Sequence, residues 1–410
     1  MIPKQIFILL QLMVFLCSGA YVWAQNTPKN YCISCHDDQW QELKASIHGK
    51  EGITCERCHG GDPAQKDKAL AKAPGTGYIG VPDKLQIVQI CGTCHSNVES
   101  MNFYGIPTDQ LARYKTSMHG KRLFNEKDTR VAVCDDCHGY HDVVDVKDPT
   151  SPVYPLNVPK TCNTCHGNAD LMKPYGIQTD MFDKYKDSVH GKDLFENKDT
   201  GVATCVSCHG SHGALPPGVK QVADACGKCH MNEKDNFLKS PHAKLGVQEK
   251  FPQCMACHSN HGIQPVSVNL YDNACAKCHQ PGSSEFQAGQ KLKGLLSHAQ
   301  QELQTAQQLV KQASIDGLFV EDETALLEEA KTKVTEMGPM QHTLSYGNVT
   351  ELAVQVDTKT KDIQNSIREK RQSLQTRKIV LWPLWIFILV MVTALLIRYK
   401  QLKSSDGEKH

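Results

Sequence analysis

The sequence predicts a mainly α protein with extensive irregular loops. It has three parts: a cysteine-rich domain held by covalent staples, an α-helical bundle, and one transmembrane helix. Three observations predict this. Over residues 25–284, cysteine and histidine recur in one fixed five-residue grammar. From 285 to 376 there is no cysteine, and apolar residues step by four and three. Residues 379–397 form a predominantly apolar run of 19 residues without a charge.

The elements follow in chain order. Residues 1–24 read as an export signal. Lys4 opens it, an apolar run extends from Ile6 to Leu16, and Val22 and Ala24 make a small-residue cleavage pattern. An uncleaved anchor is the alternative; the polar start at Gln25 favours cleavage. Cys17 lies inside this segment, and Val14-Phe15-Leu16 before it do not form a lipoprotein box.

The other eighteen cysteines form nine Cys-x-x-Cys pairs, each followed at once by histidine. The motifs are CISCH (32–36), CERCH (55–59), CGTCH (91–95), CDDCH (134–138), CNTCH (162–166), CVSCH (205–209), CGKCH (226–230), CMACH (254–258) and CAKCH (275–279). This is the attachment signature of c-type haem. On a helical turn, positions i, i+3 and i+4 share a face, so two thiols meet the vinyl groups while the imidazole reaches the iron. Zinc needs no invariable following histidine, and a disulfide framework needs neither the spacing nor the histidine. Nine repetitions in an exported chain therefore point to nine covalent haems. The cofactor-binding thiols are Cys32, Cys35, Cys55, Cys58, Cys91, Cys94, Cys134, Cys137, Cys162, Cys165, Cys205, Cys208, Cys226, Cys229, Cys254, Cys257, Cys275 and Cys278. The near-side iron ligands are His36, His59, His95, His138, His166, His209, His230, His258 and His279.

A six-coordinate haem needs a second ligand. Of 19 histidines, ten lie outside the motifs, and His410 falls on the tail. Nine remain for nine irons. His48, His119, His190 and His242 recur in "ASIHGK", "TSMHGK", "DSVHGK" and "KSPHAK". His141, His212 and His261 each lie three residues after a motif histidine. Three residues of chain cannot wrap to the far face of the same iron, so each is expected on an adjacent haem. A hydrogen bond to a propionate is the bland alternative. His298 and His342 complete the tally by arithmetic alone, since a lone helical histidine is more often a surface residue. If either fails, one haem is five-coordinate or takes Met101, Met231 or Met255.

An internal repeat organises the domain. Residues 91–141 and 162–212 align without gaps at a period of 71, each with two motifs 43 residues apart. Shorter versions occupy 32–59 and 226–261, and Pro/Gly-rich connectors precede several units. Covalent staples here replace a packed apolar core. In the bundle, Leu292, Leu296, Ala299, Leu303, Ala306, Val310 and Ala313 form a helix-packing seam. Leu327, Ala330, Val334 and Met337 continue it on a second helix, and Val349, Leu352, Val356 and Ile363 on a third. The apolar run 379–397 is about 28 Å long as a helix, one bilayer core. Trp382 and Trp385 sit near its entry, and Pro383 is expected in its first turn. Basic residues flank both sides, so charge leaves the orientation open. The export signal puts residues 25–378 outside and the tail 398–410 in the cytoplasm.

The nine motifs and the "SxHGK…CHxxH" units resemble the multihaem c-type cytochromes of the cytochrome c3-like, doubled-CxxCH group, over about residues 25–280. The resemblance implies haem on the Cys pairs, the following histidine as proximal ligand and the outlying histidines as distal ligands. It is closest to membrane-anchored periplasmic cytochromes. The function it implies is electron transfer between a membrane quinol or b-type cytochrome partner and periplasmic redox carriers, at a bacterial inner membrane. The quinol-oxidising relatives of this kind carry an N-terminal anchor, so a quinol site in this chain does not follow. The alternative is a multihaem reductase or oxidase of small nitrogen or sulfur compounds, which needs one haem with an open face. Electron transfer without substrate conversion is the leading expectation. The formal net charge of +1 turns strongly negative once acidic cofactors are attached, which argues against a nucleic-acid partner.

Overall fold

The computed structural model describes residues 29–218, 221–247 and 251–406. The expected export signal at 1–24, Cys17 and His410 lie outside the described residues. Those residues are helices and loops, with no strand among them. The chain divides into two compact units: one runs to Pro216 and takes in His261–Ile263, the other holds Pro217–Asn260 and everything from Gln264 onward. A boundary between haem domain and bundle was expected at 284. The last three motifs fall in the same compact unit as the bundle.

In the first unit the motifs are single helical turns, such as Cys55–His59, Cys134–His138 and Cys205–His209, or the ends of longer helices, as in Lys84–His95 and Val158–His166. Aliphatic burial is sparse: among the described residues, Val88, Leu123, Val131 and Val133 form its buried aliphatic cluster. Backbone bonds brace successive repeats. Ile47 donates to the Val143 carbonyl at 2.9 Å, Met118 to Ala214 at 3.1 Å and Val189 to Ile263 at 2.8 Å. Each joins a Ser-x-His turn to the segment two residues beyond a CHxxH histidine. The third of these braces ties Ile263 to this unit.

Three long helices dominate the second unit: α1 (Ser284–Ile315), α2 (Glu321–Met340) and α3 (Tyr346–Asp406). All seven α1 seam residues are buried, against Met337, Val349, Leu352 and Val356 at one end and Ile363 and Ile367 at the other. The helix of the last motif, Leu270–Cys275, is fastened to the bundle by three polar contacts. Asp272 accepts from Lys293 at 2.6 Å and from Gln290 at 3.0 Å, and Tyr271 donates to Gln341 at 2.9 Å. Helix α3 runs unbroken into the apolar stretch, long and apolar enough to cross a membrane, with side chains such as Ile379, Trp382 and Leu389 exposed along it. Pro383 therefore lies inside a helix rather than in a first turn, because the helix starts at Tyr346. There it removes one intrahelical hydrogen bond.

Glu323 on α2 is fully buried. Burial alone would raise its carboxyl, but hydrogen bonds from Lys370 (2.7 Å) and Ser366 outweigh this and hold it below the usual range. Replacing Glu323 with alanine leaves the Lys370 ammonium without its partner. Because Lys370 stays partly solvated, the expected cost is about 2–3 kcal/mol. It is read as faster amide exchange across 321–340. The same group sets a pH dependence. A depressed folded pKa means its stabilisation is full above the unfolded value of about 4.3 and is lost as pH falls through the folded one.

Candidate haem-binding sites

Local sequence explains how the histidines are presented. In each Ser-x-His-Gly turn the serine is buried and caps the turn: Ser46, Ser117 and Ser188 accept from Gly49, Gly120 and Gly191 at 3.1, 2.9 and 3.0 Å. The glycine is required by close approach. A Cβ at Gly120 would stand 2.0 Å from the Tyr114 carbonyl oxygen. In the CHxxH turns the residue after the motif histidine has positive φ, +80° at Gly139 and +81° at Gly210. Residues with a side chain rarely adopt this conformation, and the second histidine faces a different partner from the first: His141 lies beside His59, and His138 beside His212. Ser259 takes this conformation at φ +62°, and His261 itself lies at φ +47°. Both positions are strained for a residue with a Cβ.

Seven motif histidines lie close to seven outlying ones. The ring centroids are 6.1 Å apart for His48–His95, 6.2 Å for His59–His141, 6.2 Å for His119–His166 and 6.1 Å for His138–His212. They are 5.9 Å apart for His209–His261, 6.0 Å for His242–His279 and 6.1 Å for His258–His342. A metal held between two imidazoles at about 2.0–2.1 Å per bond separates the centroids by about 6 Å. Burial depresses His48, His95, His119, His138, His166, His212, His242, His258 and His261 below the ordinary imidazole value. Neutral imidazole is the form that offers a lone pair to iron. Backbone carbonyls lie against the Nδ1 atoms of His59 (Gly80, 2.8 Å), His209 (Leu215, 3.3 Å) and His342 (Gly338, 3.1 Å). Such bonds fix the tautomer and leave Nε2 for a metal.

The remaining candidates are placed differently. His190 stands in the turn capped by Ser188. His298 lies on α1, with Nε2 3.1 Å from Asp357 Oδ1 and its side chain half exposed, and among the described residues it faces no motif histidine. The contact with Asp357 gives this side chain a place within the bundle. His36 faces no histidine ring among the described residues. Its Nε2 lies 3.5 Å from Lys72 Nζ instead.

All eighteen motif cysteines are free thiols, and no group of three or more metal-ligating side chains occurs among the described residues. Paired imidazoles beside free Cys-x-x-Cys turns fit haem c. Residues 47–167 match the family model of cytochrome c3. That match and the paired imidazoles mark this region as a multihaem c-type cytochrome domain. No curated protein and no solved structure matches it.

In this cytochrome the first cysteines of two motifs within a repeat approach closely. The Cys91 thiol is pushed up by a hydrogen bond with Cys134 and by burial, and Cys162 by Cys205 in the same way, as is Cys254 by Cys226. Second cysteines approach the next motif. Burial and then Cys91 and Cys94 raise Cys58. Burial and Cys162 push Cys137 up to about 11, and burial and Cys275 raise Cys257. Cys32 similarly neighbours Cys55. Motifs one to six of the first unit, and seven to nine of the second, thus each neighbour the next in chain order.

The sequence held signals for these pairings that are visible in hindsight. His48 to His95 and His119 to His166 are both 47 residues apart. Counting from the preceding motif instead of the following one hides that offset.

Proposed function

We propose that this cytochrome carries nine haems c and transfers electrons between a membrane quinol-oxidising or b-type cytochrome partner and periplasmic redox carriers. It is anchored by the single C-terminal span in a bacterial inner membrane, with the haem domain in the periplasm. The observation that supports this most is the unbroken neighbour-to-neighbour order of the motifs within each unit. When bound, haem supplies reversible one-electron chemistry.

The chain's own residues do the rest. Each Cys pair anchors one porphyrin. Each motif histidine gives the near-side nitrogen. When haem is bound, His48, His119, His141, His212, His242, His261 and His342 would hold the same irons as His95, His166, His59, His138, His279, His209 and His258, respectively. His190 is proposed as a ligand from its equivalent turn. Where two imidazoles would hold an iron, no coordination site is left for a substrate, and low potentials are favoured relative to His/Met ligation.

Intact-mass measurement of the exported protein tests the count, with nine added haems expected and fewer than nine arguing against it. Stopped-flow reduction tests the role. All haems should equilibrate with one added reductant in a single turnover, whereas isolated slow-reducing haems would break the chain. One observation favours the rival, a reductase or oxidase of small nitrogen or sulfur compounds: among the described residues His36 has no histidine opposite. A high-spin ferric haem that binds nitrite or hydroxylamine would support that alternative.

A further inference from the structure

The far-side histidines follow a rule. Motifs three and five take theirs from the Ser-x-His turn of the preceding repeat. Motifs two, four and six take theirs from a CHxxH turn further along the chain. No Ser-x-His turn precedes the CISCH motif in residues 1–31. His36 is the odd-numbered motif histidine at that end.

What stands opposite His36 is Lys72. Its Nζ lies 3.5 Å from His36 Nε2, the ring atom through which a motif histidine binds iron. An ion between two nitrogens needs about 4 Å, at about 2.0–2.1 Å per bond. A flexible four-carbon stem supplies the difference. The position is built rather than incidental. Lys72 terminates a short helix, Lys68–Ala71, capped by Asp67. That segment is folded back by bonds from Asp62 N to the Ala71 carbonyl (2.9 Å) and from Gly61 N to the Thr76 carbonyl (3.0 Å). Gly60, at φ +67°, lies so close to Gly77 that a Cβ would stand 2.0 Å from its carbonyl oxygen. The same loop reaches the first motif, where Tyr31 N donates to the Pro63 carbonyl at 2.8 Å. Lys72 is half-buried, its Nζ is 4.9 Å from the Tyr78 ring centroid, and no carboxylate pairs with it among the described residues.

We propose that Lys72 is the far-side ligand of the haem held by Cys32, Cys35 and His36, so that the first haem is His/Lys ligated where the others are bis-His. This rests on the haem assignment above. The ammonium releases its proton to solvent as the nitrogen–iron bond forms. The lysine closes the face that the rival function would need open, and it gives one terminal haem an electronic structure unlike its neighbours.

The test uses full-length, haem-loaded protein with Lys72→Ala and Lys72→His variants. Intact mass and peptide mapping count haems, low-temperature EPR reports spin state, and CO binding to the reduced protein counts open irons. In the parent protein the first haem should be low-spin. Lys72→Ala should add one high-spin equivalent and one CO site with the haem count unchanged. Lys72→His should restore the low-spin state with a bis-His signal. An unchanged spectrum in Lys72→Ala, with haem present at Cys32 and Cys35, overturns the lysine assignment alone. So does a parent protein whose first haem is already high-spin. Absence of haem on Cys32 and Cys35 overturns the underlying haem assignment at that motif, and mass distinguishes this case from the other two.

Discussion

Replacing His212 with alanine is expected to leave the haem at Cys205 and Cys208 attached and to turn a different iron, that of His138, high-spin. The reason is geometric. Gly210, at φ +81°, follows His209 in a conformation that favours glycine. Three residues on, the His212 ring stacks 6.1 Å from His138, at an interplanar angle of 10°. His209 meanwhile faces His261 at 5.9 Å. One short stretch therefore supplies half of two sites. The expected readout is one high-spin ferric equivalent in EPR, one new CO site on reduction, and an unchanged haem mass on the peptide carrying 205–209. The potential of the affected haem should rise as well, since one of two strong nitrogen donors is lost. Loss of attachment at 205–209, with every other iron still low-spin, would refute the pairing.

The contrast between legible and hidden features has a physical basis. Cys-x-x-Cys-His spacing is local chemistry on one helical turn, so it is readable without a fold. The α1 seam is equally local, and Leu292 through Ala313 are all buried. The mainly α, loop-rich architecture follows from these two. Pairing is not local. His48 meets His95 across 47 residues and His141 meets His59 across 82, and what decides both is repeat-to-repeat bracing through backbone bonds such as Ile47 to Val143. Backbone donors carry no sequence signature. Lys72 was invisible for a related reason: a lone lysine in a Gly-rich connector has no motif, and only the folded-back loop gives it a position.

The strongest separation between equal-looking candidates concerns His342 and His298. Counting alone ranks them together. The structure puts His342 in the turn Gln341–Thr343 between α2 and α3, with Nδ1 held by the carbonyls of Gly338 and Pro339 at 3.1 and 3.2 Å and its ring 6.1 Å from His258. His342→Ala should convert the iron of His258 to high-spin. It should also speed amide exchange across 337–345 at least tenfold, about 1.4 kcal/mol, because an iron bond no longer pins the turn. His298→Ala removes an ion pair to Asp357 whose histidine side chain is 52% exposed. The expected cost is about 0–1 kcal/mol, with every iron unchanged. The two variants thus differ in kind as well as size. If His298→Ala produced the high-spin haem and His342→Ala did not, the bundle would be tied to the haems through α1 rather than through the α2–α3 turn. If only His342→Ala does, the helical bundle donates a ligand at the C-terminal end of the array, where no further CHxxH turn exists to supply one.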